Sequence, residues 1–260
     1  MKDSWDSGNP YDYFMGRWSR RVAGLFIDWL APRAGLRWLD VGCATGSLSE
    51  TIIKGRRPAV LTALDTSDNF VAAAQHKLGN RAMCMVGDAL ALPLEDASVD
   101  VAVSGLVLNV VPEPEMALAE MKRVTAHGGS VAAYVWDYGG RMDFLRMFWD
   151  AVVTLDPEAS KLHEAIRFPN TNPEALRSQF ESVGLKKIVT VPIEIVTHFC
   201  DFDDFWKPFL GGQGPAPSYL QALPEADRHT LRELLHKRLP LQPDGSISLL
   251  ARAWATRGKV

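Results

Sequence analysis

Cysteine is scarce in this 260-residue chain: the three, Cys43, Cys84 and Cys200, lie far apart. An odd, dispersed set builds neither a disulfide framework nor a zinc cluster, and it suits a reducing compartment. An excess of one charge is also missing. The formal net charge is -3, so the chain lacks the basic footprint of a nucleic-acid-binding domain. The short basic runs GRWSRR, KGRR and HKRL read as solvated faces or helix C-termini. Long apolar runs are absent: no window approaches the roughly 18 uninterrupted apolar residues of a membrane span. The segment MKDSWDSGNPYDYF has no apolar signal-peptide core. A soluble, cytoplasmic protein is expected. No repeat of about 20 to 50 residues and no low-complexity segment is visible.

What is present is 47% hydrophobic content, enough for one large α/β domain or two small ones. Short apolar runs alternate with amphipathic segments. LRWLDV, AVLTALD, AMCMVGD, VDVAVSG and SVAAYVW read as strands. SRRVAGLFIDWLAP, SLSETIIKG, SDNFVAAAQHKLG and EPEMALAEMKRVT read as helices. In the first of these helices Val22, Leu25, Phe26 and Trp29 are expected to share a stripe. Ser67 or Asp68 is a natural N-cap and Gly79 a terminator, while AHGG is expected as a turn. Continuous apolar strands separated by helices imply a doubly wound α/β domain with a parallel sheet covered on both faces. The second half is less regular. It offers helices in MDFLRMFWDAVVTL, NPEALRSQFESVG and EADRHTLRELLHKRL, a strand in KKIVTVPIEIV that Pro192 places near an edge, and a closing strand in SISLLARAWATR.

The stretch RWLDVGCATGSLSE puts Gly42 and Gly46 where a strand turns into a helix, with Asp40 before them. In an open parallel sheet, ligands bind outside the carboxyl ends of the strands. Glycines there let backbone take unusual angles and let a ligand approach closely; taken alone they equally describe a tight turn with no ligand. Residue 44 is alanine and the glycines are four apart, so the G-x-G-x-x-G pyrophosphate cradle is not reproduced. Asp40, then Asp65 ending the second strand, then Asp88 after the third, suit a nucleoside without phosphates. They provide an anion near an amino-acid or sulfonium cation, oxygens for ribose hydroxyls and an acceptor for an exocyclic amine.

Over residues 10–137 the sequence resembles the class I S-adenosylmethionine-dependent methyltransferases, within them the small-molecule group that includes the ubiquinone and menaquinone C-methyltransferases (methyltransferase type 11). LDVGCATG, ALD, VGDALALPLEDASVD, and VAVSGLVLNVVPEPEMALAEMKRV with AHGGSVAAYVW carry the likeness in the family's order. The resemblance implies a Rossmann-like, doubly wound, seven-stranded mixed sheet forming one domain over 1–260. It would comprise an N-terminal helical lid (1–35), a cofactor-binding core (36–137), and helical insertions on the acceptor side with the final strands (138–260).

The implied cofactor is S-adenosylmethionine, with S-adenosylhomocysteine as product and no metal. Asp65 with Thr66 would hold the ribose, Asp88 and the Ala89 N–H the adenine. Gly42, Gly46 and Asp40 would run under the methionine moiety, and Ser104 to Leu106 would line it. Two departures stand out: Leu108, Asn109 and Val110 replace the usual histidine-containing step, and His127 stands where proline is usual. Tyr13 and Arg17, with Tyr11, Met15 and Trp18, form either a lid in which Arg17 pairs with the cofactor carboxylate or a helix docked by its aromatics.

The partner is expected to be a small, apolar or aromatic acceptor, bound among Asn109, Trp136, Tyr138, Trp149, Phe168 and Trp206 or simply adjoining a plain aromatic core. Asp137 and His198 are weak candidates for a base. The catalytic set and the oligomeric state are left open. A non-catalytic cofactor-binding regulator and a nicotinamide-dependent oxidoreductase are the alternatives.

Overall fold

The computed structural model describes residues 12–211 and 214–260, with side chains from Phe14 onward. Tyr11, the side chain of Tyr13, and Gly212 and Gln213 in the FLGGQGPAP segment lie outside the described residues. The expected fold is present. Seven strands form one sheet in the order β3-β2-β1-β4-β5-β7-β6. They are β1 (Arg37–Val41), β2 (Val60–Asp65), β3 (Met83–Val86), β4 (Val99–Gly105), β5 (Thr125–Trp136), β6 (Lys186–Phe199) and β7 (Ile247–Lys259). β1 to β5 pair in parallel, whereas β5 and β7 are antiparallel, which makes the sheet mixed. Sequence order reverses between β1 and β4, the crevice where open α/β sheets receive ligands. β6, which contains Pro192, is an edge strand, the position where sheets tolerate proline.

By contact density the chain divides into two compact units. One contains Ser19–Trp136, Asn170–Ile193 and Ala253–Val260. Its helices are α1 (Arg17–Leu30, from Ser19 onward), α2 (Ser47–Arg56), α3 (Asp68–Leu78), α4 (Pro114–Val124) and α5 (Pro173–Ser182). Its core joins Leu39, Val41 and Ala102 of the sheet to Leu118 and Met121 of α4 and Phe180 of α5. Local chemistry sets the helix ends. Ser67 Oγ accepts the Phe70 N–H to start α3, Gly79 ends it at φ 58°, and Asn172 caps α5 through the Ala175 N–H. KGRR and HKRL do end helices, as expected, with Lys54 and Arg56 in one last turn and His236, Lys237 and Arg238 in another.

Two local expectations are corrected. AHGG is not a separate turn: residues 126–129 lie within β5, where Gly128 at φ 78° and a register shift against β4 between Val99 and Val101 absorb the irregularity. In α1, Val22 and Phe26 are fully buried but Leu25 is 46% exposed, and Ala23, Ile27 and Leu30 complete the buried face. The phase is fixed by Phe26, which packs on Tyr134 of β5 with ring centroids 4.7 Å apart.

The other unit comprises the described residues through Trp18, together with Asp137–Pro169 and Glu194–Arg252. It is rich in aromatics. Phe148 stacks on Phe209 at 4.6 Å, and Phe14, Phe144, Phe199 and Phe205 join the same cluster. Such rings bury large areas and favour edge or offset contacts, so they account for much of this unit's cohesion. Among the described residues no helix is long and apolar enough to cross a membrane.

Candidate active site

The site builds from the carboxyl ends of β1 to β4. After Val41 the chain must leave the sheet and enter α2 within a few residues. Gly42 (φ 74°), Ala44 (φ 44°) and Gly46 (φ 77°) all take left-handed backbone to do so. A side chain on Gly42 would collide with the γ-methyls of Val107, so this position needs glycine for space as well as for φ. The turn is tied to the neighbouring strand: the Gly42 and Cys43 N–H groups donate to Leu64 O at 2.8 and 2.9 Å.

Asp65, at the end of β2, is held by two backbone donors. Its Oδ2 accepts the Ala44 N–H at 2.9 Å and its Oδ1 the Ser67 N–H at 3.0 Å. These bonds fix the carboxylate and leave each oxygen further lone-pair capacity. Thr66 follows it, exposed. Asp88 is exposed two residues beyond β3, accepting the Leu90 N–H at 2.9 Å, and Ala89 beside it is buried. Ser104 is fully buried and donates to Val41 O at 2.9 Å, locking β4 to β1, while Leu106 turns out of β4 at φ 64° with its N–H on Tyr134 O. The cofactor residues expected in this unit therefore stand together at the carboxyl ends of β1 to β4.

Asp40 is the unusual group. It is 1% exposed, accepts the Ser49 hydroxyl at 2.7 Å through Oδ2, and has no partner on Oδ1. Burial pushes its pKa up to about 7; the Ser49 bond opposes this and nearby Asp65 reinforces it. Burial, then Asp40 and Asp65, also push the Cys43 thiol far up, which leaves it an inert packing group. The buried, unpaired Oδ1 and the glycine turn fit a bound cationic amino-acid moiety. Among the described residues no cluster of His, Cys, Asp and Glu comes together as a metal site.

The remaining expected residues fall differently. Arg17 is engaged by Asp204 in its own unit, with Nη1 2.9 Å from Oδ1, and its guanidinium stacks on Trp18 at 4.3 Å and Phe199 at 4.6 Å. This explains GRWSRR better than a helix C-terminus does, because Arg17 begins α1. Asp137 is no free base. It is 4% exposed, its Oδ2 is held at 2.7 Å by Arg252 Nε and Nη2, and its Oδ1 accepts the Gly140 N–H. The chemistry is that of a salt-bridged turn. His198 is exposed on β6 with Nδ1 3.2 Å from Ser248 Oγ.

Of the expected acceptor residues, Tyr138 and Phe168 face each other at 5.3 Å. Trp149 is fully buried, donates its indole N–H to buried Glu164, and adjoins Tyr219. Trp206 stacks on Phe202. Trp136 is buried opposite Ala253 in the β5 and β7 ladder, and half-buried Asn109 belongs to the turn after β4.

Sequence reasoning passed over Ser49, Gly87 and Glu164, and took in Gly105 only as part of the Ser104 to Leu106 stretch. Gly87 and Gly105 lay within the quoted motifs, and a Cβ on either would strike Leu64 or the Tyr134 ring. Ser49 carries the periodic signal of one turn of α2, nine residues from Asp40. Glu164 carries no signal at all.

The family described as "Methyltransferase domain" matches residues 39–133, the stretch that holds the glycine turn and the four strand ends. The ubiquinone/menaquinone biosynthesis C-methyltransferase of Dinoroseobacter shibae is 37% identical over 124 residues, which cover 45% of this chain and 49% of that protein. The chain thus spans about half the length of the curated relatives it matches. Among solved structures, phosphoethanolamine N-methyltransferase 2 of Haemonchus contortus, in complex with S-adenosyl-L-methionine, superposes with TM-score 0.59 at 16% identity, covering 96% of this chain and 56% of that one. The [4+2]-cyclase SpnF does so with TM-score 0.54 at 19% identity, covering 92% and 80%. At such identities these two likenesses speak for the fold alone. Motif order, strand-end geometry and the sequence match agree on one stretch: residues 39–133, which hold the carboxyl ends of β1 to β4, are similar to the methyltransferase domain family.

Proposed function

We propose that the protein transfers a methyl group from S-adenosylmethionine to a small, apolar or aromatic acceptor by in-line displacement. One observation carries the reading: Asp40, Asp65 and Asp88 converge at the carboxyl ends of β1 to β3 beside a left-handed glycine turn, with Asp40 Oδ1 buried and unpaired. When bound, the cofactor supplies a methyl already activated by its sulfonium. The chain's own residues then bind, orient and exclude water. Asp65, fixed by the Ala44 and Ser67 N–H groups, would accept the ribose hydroxyls, and Asp88 with the Ala89 N–H would take the adenine edge. Asp40, Gly42, Gly46, Ser104 and Leu106 would form the wall along the amino-acid moiety.

The acceptor class is inferred from the aromatic unit that holds Tyr138, Phe168, Trp149 and Trp206, which suits apolar or aromatic surface. The lid role of Arg17 is retained only in a positioning form. Its pair with Asp204 would order the start of α1, so Arg17→Ala would act on cofactor affinity through that order.

A second reading, a cofactor-binding regulator without turnover, is favoured by one observation: of the two expected bases, Asp137 is bound to Arg252 and His198 to Ser248. Calorimetric titration with S-adenosylhomocysteine, with NAD in parallel and Asp65→Ala as control, tests the proposal. Binding lost in the variant, followed by methylation of members of an aromatic and quinol acceptor panel, supports the enzyme. Binding with no turnover across the panel supports the regulator. Binding of NAD alone overturns both.

A further inference from the structure

At the opposite end of the same sheet, the amino ends of β1, β4 and β5 surround a cavity of about 610 Å³. This is within the usual range for small-molecule sites, roughly 300 to 1,000 Å³. Arg33, His127, Lys187, Arg257 and Lys259 line it, against one carboxylate, Asp100. That carboxylate is already neutralised: Arg37 holds it through Nη2 at 2.8 Å, Nε at 3.2 Å and the backbone N–H at 2.8 Å. Two of the cations have structural duties. Arg257 donates to Leu30 O and lies over the Trp29 ring, while Lys259 donates to Ser130 Oγ at 2.8 Å. The side chains of Arg33, His127 and Lys187 make no ion pair within 4 Å and no hydrogen bond among the described residues, Arg33 acting on Asp100 only at longer range, and they line the cavity from the loop after α1, from β5 and from β6.

The backbone around the cavity is also strained. Ala31 (φ 45°) and Lys187 (φ 50°) are non-glycine residues in left-handed conformation, and both line it. Such conformations cost on the order of 1 to 2 kcal/mol per residue and cluster where a ligand or a switch is served. The walls are not wholly polar: Val189, 40% exposed, faces the space with Leu36 and Pro32. Arg33, Lys187, Arg257 and Lys259 bring more positive charge to this concave site than Asp100, already held by Arg37, offsets, and with apolar walls they suit an organic anion carrying more than one negative charge.

We propose that this cavity binds a small multivalent organic anion, phosphorylated or polycarboxylate, at a site separate from the cofactor crevice. Pyrophosphate and citrate serve as probes of the two anion chemistries, titrated calorimetrically into the full chain at low ionic strength. Two variants accompany it, each checked for wild-type unfolding temperature. The double variant Arg33→Gln, Lys187→Gln removes two exposed cations that make no close ion pair. Val189→Trp keeps every charge and fills the space. The expected result is one site per chain for at least one probe, weakened about tenfold or more in the double variant, as expected for losing charge-assisted contacts, and lost in Val189→Trp. The stronger probe identifies the anion chemistry. Absence of binding by both probes overturns the proposal. So do several weak sites per chain, affinity unchanged in the double variant, or affinity unchanged in Val189→Trp, which would mark a charged surface with no pocket.

Discussion

A carboxyl group that titrates near pH 7 in the folded chain and near 4 in the unfolded chain must write itself into the pH dependence of stability. Asp40 is such a group. Its folded pKa is raised to about 7 from 3.8, mainly by burial. The folded state therefore holds a proton that the unfolded state releases, and the associated stability is fully present below pH 3.8 and lost as pH rises to about 7. The whole interval is worth on the order of 4 kcal/mol, and the part between pH 5 and 7.5 about 2.5 kcal/mol. Other groups tilt the profile: Glu50, Asp100 and Glu120 are held below their ordinary values by hydrogen bonds to Lys54, Arg37 and Arg123 respectively, so they act on the acid side of pH 5. His163, lowered by burial, gains stability for the fold as pH rises through its range. The test is therefore a difference. Urea unfolding of the wild type and Asp40→Asn is measured from pH 5 to 7.5, because the amide keeps the Ser49 bond and does not titrate. The wild type should lose about 2.5 kcal/mol relative to the variant across that range. A flat difference would mean that Asp40 is ionised in the fold, and the account of its burial would fail.

Other outcomes follow from the same geometry. Gly42→Ala should destabilise by about 2 to 4 kcal/mol in chemical denaturation, adding left-handed strain to the clash with Val107. If a cationic moiety binds beside Asp40 Oδ1, titration of S-adenosylmethionine at pH 6.5 in buffers of different ionisation enthalpy should show proton release that Asp40→Asn abolishes. Asp137→Asn should cost about 2 kcal/mol of stability through loss of the buried contact to Arg252, while S-adenosylhomocysteine affinity stays within about twofold. Ser67→Ala should cost about 1 kcal/mol by removing the cap of α3, read as a lowered urea midpoint.

The strands, the helices and the glycine turn were legible because each is a local pattern: apolar runs bounded by breakers, caps three residues from their donors, glycines where φ must be positive. What was not legible depends on partners far along the chain. Arg17 meets Asp204, 187 positions away, and Asp137 meets Arg252, 115 away. No periodicity carries such pairings, so a carboxylate at a strand end looked like a base when it is half of an ion pair. AHGG misled for a related reason. Its four residues fall inside the span of β5 but between pairs: Thr125 lies opposite Val99 and Ser130 opposite Val101, so the segment bulges from the ladder without ending the strand.

The two ends of the sheet carry opposite chemistry, and this has a consequence for how they act on each other. Asp40, Asp65 and Asp88 gather at the carboxyl ends, while Arg33, Lys187, Arg257 and Lys259 gather at the amino ends. The five residues of β1 separate those ends by about 13 Å at the usual strand rise, beyond the roughly 7 to 10 Å within which substitutions ordinarily couple. Each cluster therefore sets its own local field, a cation-favouring one at the crevice and an anion-favouring one at the cavity. Substitutions at the two ends should then add: the combined effect of Asp65→Ala and Lys187→Gln on stability should equal the sum of the single effects to within about 0.5 kcal/mol. A larger departure would show that the strands transmit between the two sites, and would turn the amino-end cavity from a separate binding site into a lever on the crevice.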